Sequence, residues 1–435
     1  MNKKIYKGTI LFFLWFVLLS PAALFALDRT VNLAQIEGVI NPVAAEYIET
    51  CIDTSEKESA ECLIIQLDTP GGLDTSMRQI VKRILNAAVP IIVYVGPAGA
   101  RAASAGVMIT MAAHVAAMAP GTNIGAAHPV ALGGGKMSRE MVDKVENDAV
   151  AYIQSIATKK NRNVEWAEKA VRESVSIKAT EALELQVIDL VSPNIDDLLK
   201  QVDGREIQIN DRSIILATKG AEIRRLDMNF RDRILDTLSN PNIAYILMML
   251  GLAGLYFELA HPGAIFPGVI GAICLILAFY SFQTLSVSYA GILMILLAIV
   301  LFLAEIKVTS YGLLSIGGTV ALILGSLMLF DSPAPYLRVS LKVLITTVVF
   351  TAGFFIAVAT LAFKAFLRKP ASGAEGLIGM EGVAVSRIDP AGKAFVHGEY
   401  WDAISEEVIA EGEAIEVIGI KGLKVKVKKN TNKSS

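Results

Sequence analysis

Three short segments carry residue types that could perform acyl transfer. Leu67–Gly72 reads Leu-Asp-Thr-Pro-Gly-Gly after an apolar run. Gly71 and Gly72 have no Cβ, so their N–H groups can approach a ligand closely. Such donors would form one half of an oxyanion hole; a plain strand-to-helix turn would use the same pair. Gly99–Gly106 sets Ser104 among small residues ahead of an apolar helix. A helix start offers unpaired N–H groups and a positive dipole end, which suit a nucleophile whose reaction develops negative charge. The N–H of Ala105 would be the second donor. The plainer account is that Ser104 caps the helix. The third segment begins at Ser138 and contains Lys144. Met141, Val145, Ala149, Tyr152, Ile153 and Ile156 recur there at a helical period. A lysine beside an apolar stripe can be partly desolvated and then accept a hydroxyl proton. The plainer account is a surface lysine paired with Asp148 one turn on.

These segments need a scaffold, and residues 28–230 supply its pattern. Val31–Ile36, Cys62–Leu67, Ile91–Val95 and His114–Met118 read as strands. Asn41–Thr54, Thr75–Ala87, Ser104–Ala112 and Ser138–Lys160 read as helices. Alternation of this kind predicts a parallel α/β layer structure with helices covering nearly continuous apolar strands.

The chain of 435 residues is 53% hydrophobic and only 19% charged, against about 25% charged in an ordinary soluble domain. That excludes a disordered chain and an ordinary cytosolic enzyme. Five apolar stretches, near 243–260, 264–283, 287–304, 309–330 and 341–363, are each long enough to span a bilayer. The first two are joined by so short a link, Ala260-His261-Pro262-Gly263, that they also fit a re-entrant hairpin. Ahead of everything, Lys3, Lys4 and Lys7 precede an apolar run and small residues up to Ala26, the pattern of a signal peptide, with an uncleaved anchor helix as the alternative. Lys364, Arg368 and Lys369 after the last apolar stretch place the C-terminal end in the cytoplasm. Glycine-punctuated short runs over residues 375–430 predict a small β-barrel, with the basic run Lys421–Lys429 either an edge strand blunted by lysine or a segment attracted to the anionic inner leaflet. A net charge of −2 argues against nucleic acid. Three cysteines and four histidines form no ligand cluster, so no metal or other cofactor is expected. Cys51 and Cys62 could pair; separation alone does not decide it.

Taken together, the stretches DTPGGLDTSMRQIVKRIL, VYVGPAGARAASAGVMITMAAHVAAMAPGTNIGAAHPV and KVENDAVAYIQSIATKKNRN resemble the NfeD family of membrane serine proteases, also called stomatin operon partner proteins. The resemblance covers nearly the whole chain. It implies a signal peptide (1–26), an exported α/β protease domain similar to the ClpP/crotonase fold (27–230), an all-α transmembrane bundle (240–366) and an all-β OB-fold barrel (375–430). It also implies a Ser–Lys dyad, with Ser104 as nucleophile, Lys144 as general base, and the N–H groups of Gly72 (or Gly71) and Ala105 as oxyanion donors. His128 follows Ser104 by 24 residues, near the spacing of the ClpP-type triad histidine, and is the rival base. Ser176-Ile177-Lys178 stands where a triad aspartate would fall. Lys136, in the run Gly133-Gly134-Gly135, is a weaker candidate in a loop that could gate the cleft.

The implied substrates are hydrophobic segments, notably the C-terminal region of a stomatin-like (SPFH) protein, bound by strand addition. The implied setting is a prokaryotic inner membrane, with the protease domain outside, the barrel in the cytoplasm, the lipid bilayer as a partner and a homo-oligomeric assembly. One alternative is a non-catalytic membrane scaffold that binds stomatin- or flotillin-like proteins. Another is a crotonase-type acyl-CoA enzyme, against which the signal peptide counts.

Overall fold

The computed structural model of the chain describes residues 29–130, 138–209, 212–260, 263, 265–283, 285, 287–308, 310, 312–330, 332, 337–366 and 374–430. The signal-peptide pattern, the Gly133–Lys136 loop, His261, Pro262, Arg368 and Lys369 lie outside them.

The α/β domain begins with β1 (Thr30–Glu37), α1 (Pro42–Lys57), β2 (Cys62–Asp68), α2 (Asp74–Leu85), β3 (Ile91–Val95) and β4 (Arg101–Ala103). It continues with α3 (Ala105–Ala112), β5 (Val115–Met118), β6 (Asn123–Gly125), α4 (Arg139–Lys159), α5 (Val164–Arg172) and β7 (Ser176–Lys178). It ends with α6 (Ala179–Glu184), β8 (Leu190–Val191), α7 (Ile195–Val202), β9 (Glu206–Ile209), β10 (Arg212–Ile215), β11 (Glu222–Arg225) and α8 (Phe230–Leu238). A six-stranded sheet of order β11-β1-β2-β3-β5-β8 is parallel throughout.

Both faces of this sheet are covered, as its unbroken apolar strands require. Ile36, Leu63, Ile65, Val93 and Met118 point into a core shared with α1, α2, α3 and α4. Their neighbours Leu33, Cys62, Ile64, Ile92 and Tyr94 pack on the other side against α7, β9 and β10. Cys51 lies in the first core and Cys62 in the second, so the sheet separates them, and both are free thiols. Burial pushes the Cys51 thiol up to about 12. A second sheet, β4-β6-β7, rests on the end of β2 through a bridge between Thr69 and Ala102.

Five apolar helices follow: α9 (Pro241–Ala260), α10 (Ile265–Phe282), α11 (Tyr289–Lys307), α12 (Leu313–Leu329) and α13 (Leu341–Phe366). They fall on the five expected stretches. Large apolar side chains such as Phe266, Leu293 and Phe350 are exposed on them, as helices in hydrocarbon require. The α9–α10 pair packs backbone to backbone. A Cβ added at Gly254 would stand 2.5 Å from the Pro267 carbonyl oxygen and 2.7 Å from Gly271 Cα, so only small residues permit this approach. At the end of α11, the Glu305 carboxylate accepts from the Gly312 and Ser315 N–H groups at 3.0 and 2.9 Å. It thereby satisfies donors that the start of α12 would otherwise leave unpaired.

The C-terminal barrel closes in the order β12 (Glu381–Ala384), β13 (Ala391–Val396), β14 (Glu399–Ile404), β16 (Lys424–Lys429), β15 (Ala414–Lys421). The third and fifth strands pair in parallel, and Val396, Ile415, Val417, Val425 and Val427 fill the interior. This is the OB arrangement. The expectation of a basic edge strand is corrected here. β16 pairs on both sides, and its lysines meet glutamates of neighbouring segments: Lys426 with Glu406, Lys428 with Glu416 and Lys429 with Glu413.

Candidate active site

The site is built where β2 ends. Thr69 donates its N–H to the Arg101 carbonyl at 2.8 Å and accepts from the Ala103 N–H at 3.1 Å. Its Oγ1 accepts from the Gly71 N–H at 3.0 Å, and Asp68 Oδ1 accepts from the Arg101 N–H at 3.0 Å. These bonds lace the Asp-Thr-Pro-Gly-Gly segment to the small-residue segment before α3. The small residues are required by the fit. A Cβ at Gly106 would stand 2.7 Å from Thr69 Cγ2, and one at Gly72 would stand 2.2 Å from the Ile40 carbonyl oxygen.

Ser104 sits at the joint between β4 and α3 with φ 52° and ψ −111°. A non-glycine residue in that region is strained, and such strain concentrates at functional sites. The Ser104 N–H donates to the Gly125 carbonyl at 3.2 Å, which holds the backbone in place. Its side chain makes no capping hydrogen bond to α3, so the plainer account of this serine does not hold. A sharp strand-to-helix turn presenting an uncapped serine is the geometry of a nucleophile elbow.

A cleft of about 420 Å³ opens beside Ser104. Gly72, Ala105 and Lys144 line it together with Ser104. Gly71 does not, and its N–H is already spent on Thr69. The N–H groups of Gly72 and Ala105 find no acceptor among the described residues. The larger apolar side chains of the lining include Met77, Met108, Val130, Met141 and Val145.

Lys144 is brought to the cleft by α4, whose N-terminus Ser138 caps through its Oγ. The helical stripe does not behave as its spacing suggests. Met141 and Val145 are 48% and 37% exposed, and full burial starts only at Ala149. The first half of α4 overhangs the cleft, and Lys144 is exposed there. Nor is Lys144 paired with Asp148. That carboxylate is taken by Arg78 at 2.5 Å, and Arg78 also binds Asp74 at 2.8 Å and lies over the Tyr152 ring. Among the described residues, no carboxylate is within ion-pair distance of Lys144.

His128 points elsewhere. Its neighbours Ala127 and Pro129 line the cleft, but its own Nδ1 lies 3.0 Å from the Val171 carbonyl, and it is absent from the lining. Ser176–Lys178 forms β7 at the far edge of the small sheet. His114 accepts the Ile91 N–H at Nδ1, and burial pushes it down to about 3, so it is a structural histidine. Sequence reasoning missed Thr69, Arg78 and Asp148 as organisers of the site. It also missed Leu337, which lines the cleft from the segment between α12 and α13.

An alanine at Gly72 tests the lacing directly. The three atoms nearest its Cβ would be backbone and Cβ atoms of Ile40, none of which can swing away. Overpacking of this kind costs about 1–3 kcal/mol, and displacing one oxyanion donor costs about 10²–10³ in rate. We expect Gly72→Ala to lower both the melting temperature and any hydrolytic activity of the full chain. An unchanged rate would remove Gly72 from the site.

Residues 30–226 match the family described as NfeD1b, N-terminal domain. Residues 242–361 match NfeD integral membrane domain, and residues 374–429 match NfeD-like C-terminal, partner-binding domain. The chain is 36% identical to the membrane-bound protease PH1510 of Pyrococcus horikoshii over 94% of this chain and 95% of that protein. It is 25% identical to the membrane protein NfeD1b of Bacillus subtilis over 92% of this chain and 93% of that one. Among solved structures it resembles a lysine-to-alanine variant of the 1510-N membrane-bound stomatin-specific protease in complex with a substrate peptide. That likeness has 36% identity and a TM-score of 0.45, covering 48% of this chain and 97% of the other.

Proposed function

Since the chain belongs to the NfeD family of membrane proteins, we propose that it is a membrane-bound serine endopeptidase working through Ser104 and Lys144. The observation that carries this reading is the strained, uncapped Ser104 sharing one cleft with Lys144 and two unengaged N–H donors.

In the proposed reaction Ser104 Oγ attacks the carbonyl carbon of the scissile peptide bond, and Lys144 Nζ takes the hydroxyl proton. The carbonyl π pair moves onto oxygen, where the Gly72 and Ala105 N–H groups stabilise the charge. Collapse of the tetrahedral intermediate breaks the C–N bond, and Lys144 returns its proton to the leaving amine. Water, deprotonated by Lys144, then releases the acyl group and restores Ser104. A neutral amine is needed at the start. Asp148, one turn on, is engaged by Arg78 rather than by Lys144.

The apolar lining suits hydrophobic segments. The solved relative is stomatin-specific, and a hydrophobic region of a stomatin-like protein is the substrate we propose here. We also propose that the α/β domain faces away from the cytoplasm and the barrel towards it, following the signal-peptide pattern and the basic residues after α13. The test is incubation of the full chain, in detergent micelles, with apolar peptides including stomatin-type C-terminal segments, with products read by mass spectrometry. Internal cleavage is expected. A folded protein that cuts none of them would leave the chain a membrane scaffold.

A further inference from the structure

The lining of the cleft is not confined to the α/β domain. Among its described residues, all but one lie between Gly72 and Ala149; the exception is Leu337, between α12 and α13. The described residues that follow Leu337 are anchored. Arg338 Nε donates to the carbonyl of the buried Ser332. The Ser340 N–H donates to Asn242 Oδ1, in the first turn of α9, at 2.8 Å. The Ser340 carbonyl in turn accepts from the Leu344 N–H at 3.0 Å and starts α13. Arg338 and Ser340 are exposed, whereas Leu337 and Val339 are half-buried. The Leu337 side chain has found cover in the cleft that also presents Met77, Met108 and Val145.

We propose that Leu337 is a specificity-determining residue: a wall, supplied by the apolar-helix region, that limits the size of the apolar substrate side chain the cleft accepts. This rests on the endopeptidase reading above. Leucine offers no hydrogen bond, so its contribution is shape and apolar contact. A pocket wall of this kind discriminates by volume, and one methylene changes selectivity by about 10-fold or more.

The experiment uses the full chain in micelles and matched peptides that differ only in one apolar residue: alanine, leucine, phenylalanine or tryptophan. Leu337→Ala opens the cleft, so kcat/KM for the phenylalanine and tryptophan peptides rises relative to the alanine peptide by about 10-fold. Leu337→Trp moves the same ratio in the opposite direction. Opposite shifts support the proposal. A uniform change across all peptides, or none, overturns it, because a merely structural role would not re-rank substrates. The same peptides, fluorescently labelled, are titrated against Ser104→Ala protein with and without each Leu337 change. Binding ratios must shift in the same sense. That arm decides the role of Leu337 even if the unmodified chain cleaves nothing, an outcome that would count against the endopeptidase reading alone.

Discussion

Replacing Ser104 with alanine is expected to leave a folded protein and to lower peptide cleavage by at least about 10³-fold. The strained backbone at φ 52° is imposed by the Gly125 carbonyl and the turn into α3, not by the hydroxyl. Alanine adds no atoms there, so stability should hold within about 0.5 kcal/mol. What is lost is the attacking oxygen, and the loss should fall on kcat. Lys144→Ala is expected to fail comparably, because no other amine or imidazole among the described residues lines the cleft. Lys144→Arg should fail as well, since a guanidinium keeps its proton. His128→Ala should retain most activity, because that ring hydrogen-bonds Val171 away from the cleft. Single-turnover cleavage of one apolar peptide by the four variants separates these outcomes. Loss in His128→Ala with retention in Lys144→Ala would transfer the role of base to histidine.

The largest expected stability effect lies beneath the site, at Arg162. Its side chain is only 3% exposed. Nε donates to the Met111 carbonyl at 3.1 Å, and Nη2 donates to the Ala113 carbonyl at 3.0 Å. Nη1 meets Asp189 at 2.9 Å. Met111 and Ala113 stand at the end of α3, the helix that begins beside Ser104, so a buried cation closes the C-terminal end of that helix. Asp189 also accepts the Ala116 N–H at 2.7 Å, which ties the pair to β5. Burial works against the guanidinium charge, and Asp189 opposes that effect. Removing Arg162 costs about 3–5 kcal/mol, because the buried Met111 and Ala113 carbonyls lose their donor, while Asp189 keeps only Arg205 and the Ala116 N–H. In an α/β domain of this size that is a melting shift of about 6–20 °C. Arg162→Met should lose nearly as much as Arg162→Ala, since filling the volume does not satisfy the carbonyls. A scanning-calorimetry shift equivalent to less than about 1 kcal/mol in either variant would show that Arg162 is not the anchor described.

Local patterning carried the main sheet and the apolar helices. Ile91–Val95 is a strand to the residue, because a central parallel strand is one unbroken apolar run with sharp ends. The three-residue strands β4, β6 and β7 have no such signature, so the small sheet that holds Ser104 in place was invisible. Asp68 and Arg101 are of residue types common in turns and on surfaces. Their bond joins a carboxylate to a backbone N–H, which no side-chain spacing announces. The stripe on α4 was legible as a helix but not as an exposed one, since period reports which residues share a face and not what covers it. The basic strand β16 misled for a related reason: its second partner, β14, is contributed from 22 residues away in parallel register. Leu337 had no local signal, being a leucine in a loop of a hydrophobic region.

Barrel closure has a consequence for how the C-terminal domain meets other molecules. Each strand's backbone donors and acceptors are shared with two neighbours around the ring. A visiting segment therefore cannot be stitched on as a sixth strand, and copies of the domain cannot zip together edge to edge. Contact must instead be read by side chains: the exposed Phe395 and Tyr400, which pack ring against ring at 5.0 Å, and the exposed Val408 and Leu423. A partner selected in this way is recognised by its contour, and point changes on the barrel's outer skin would retune that choice without loosening its interior.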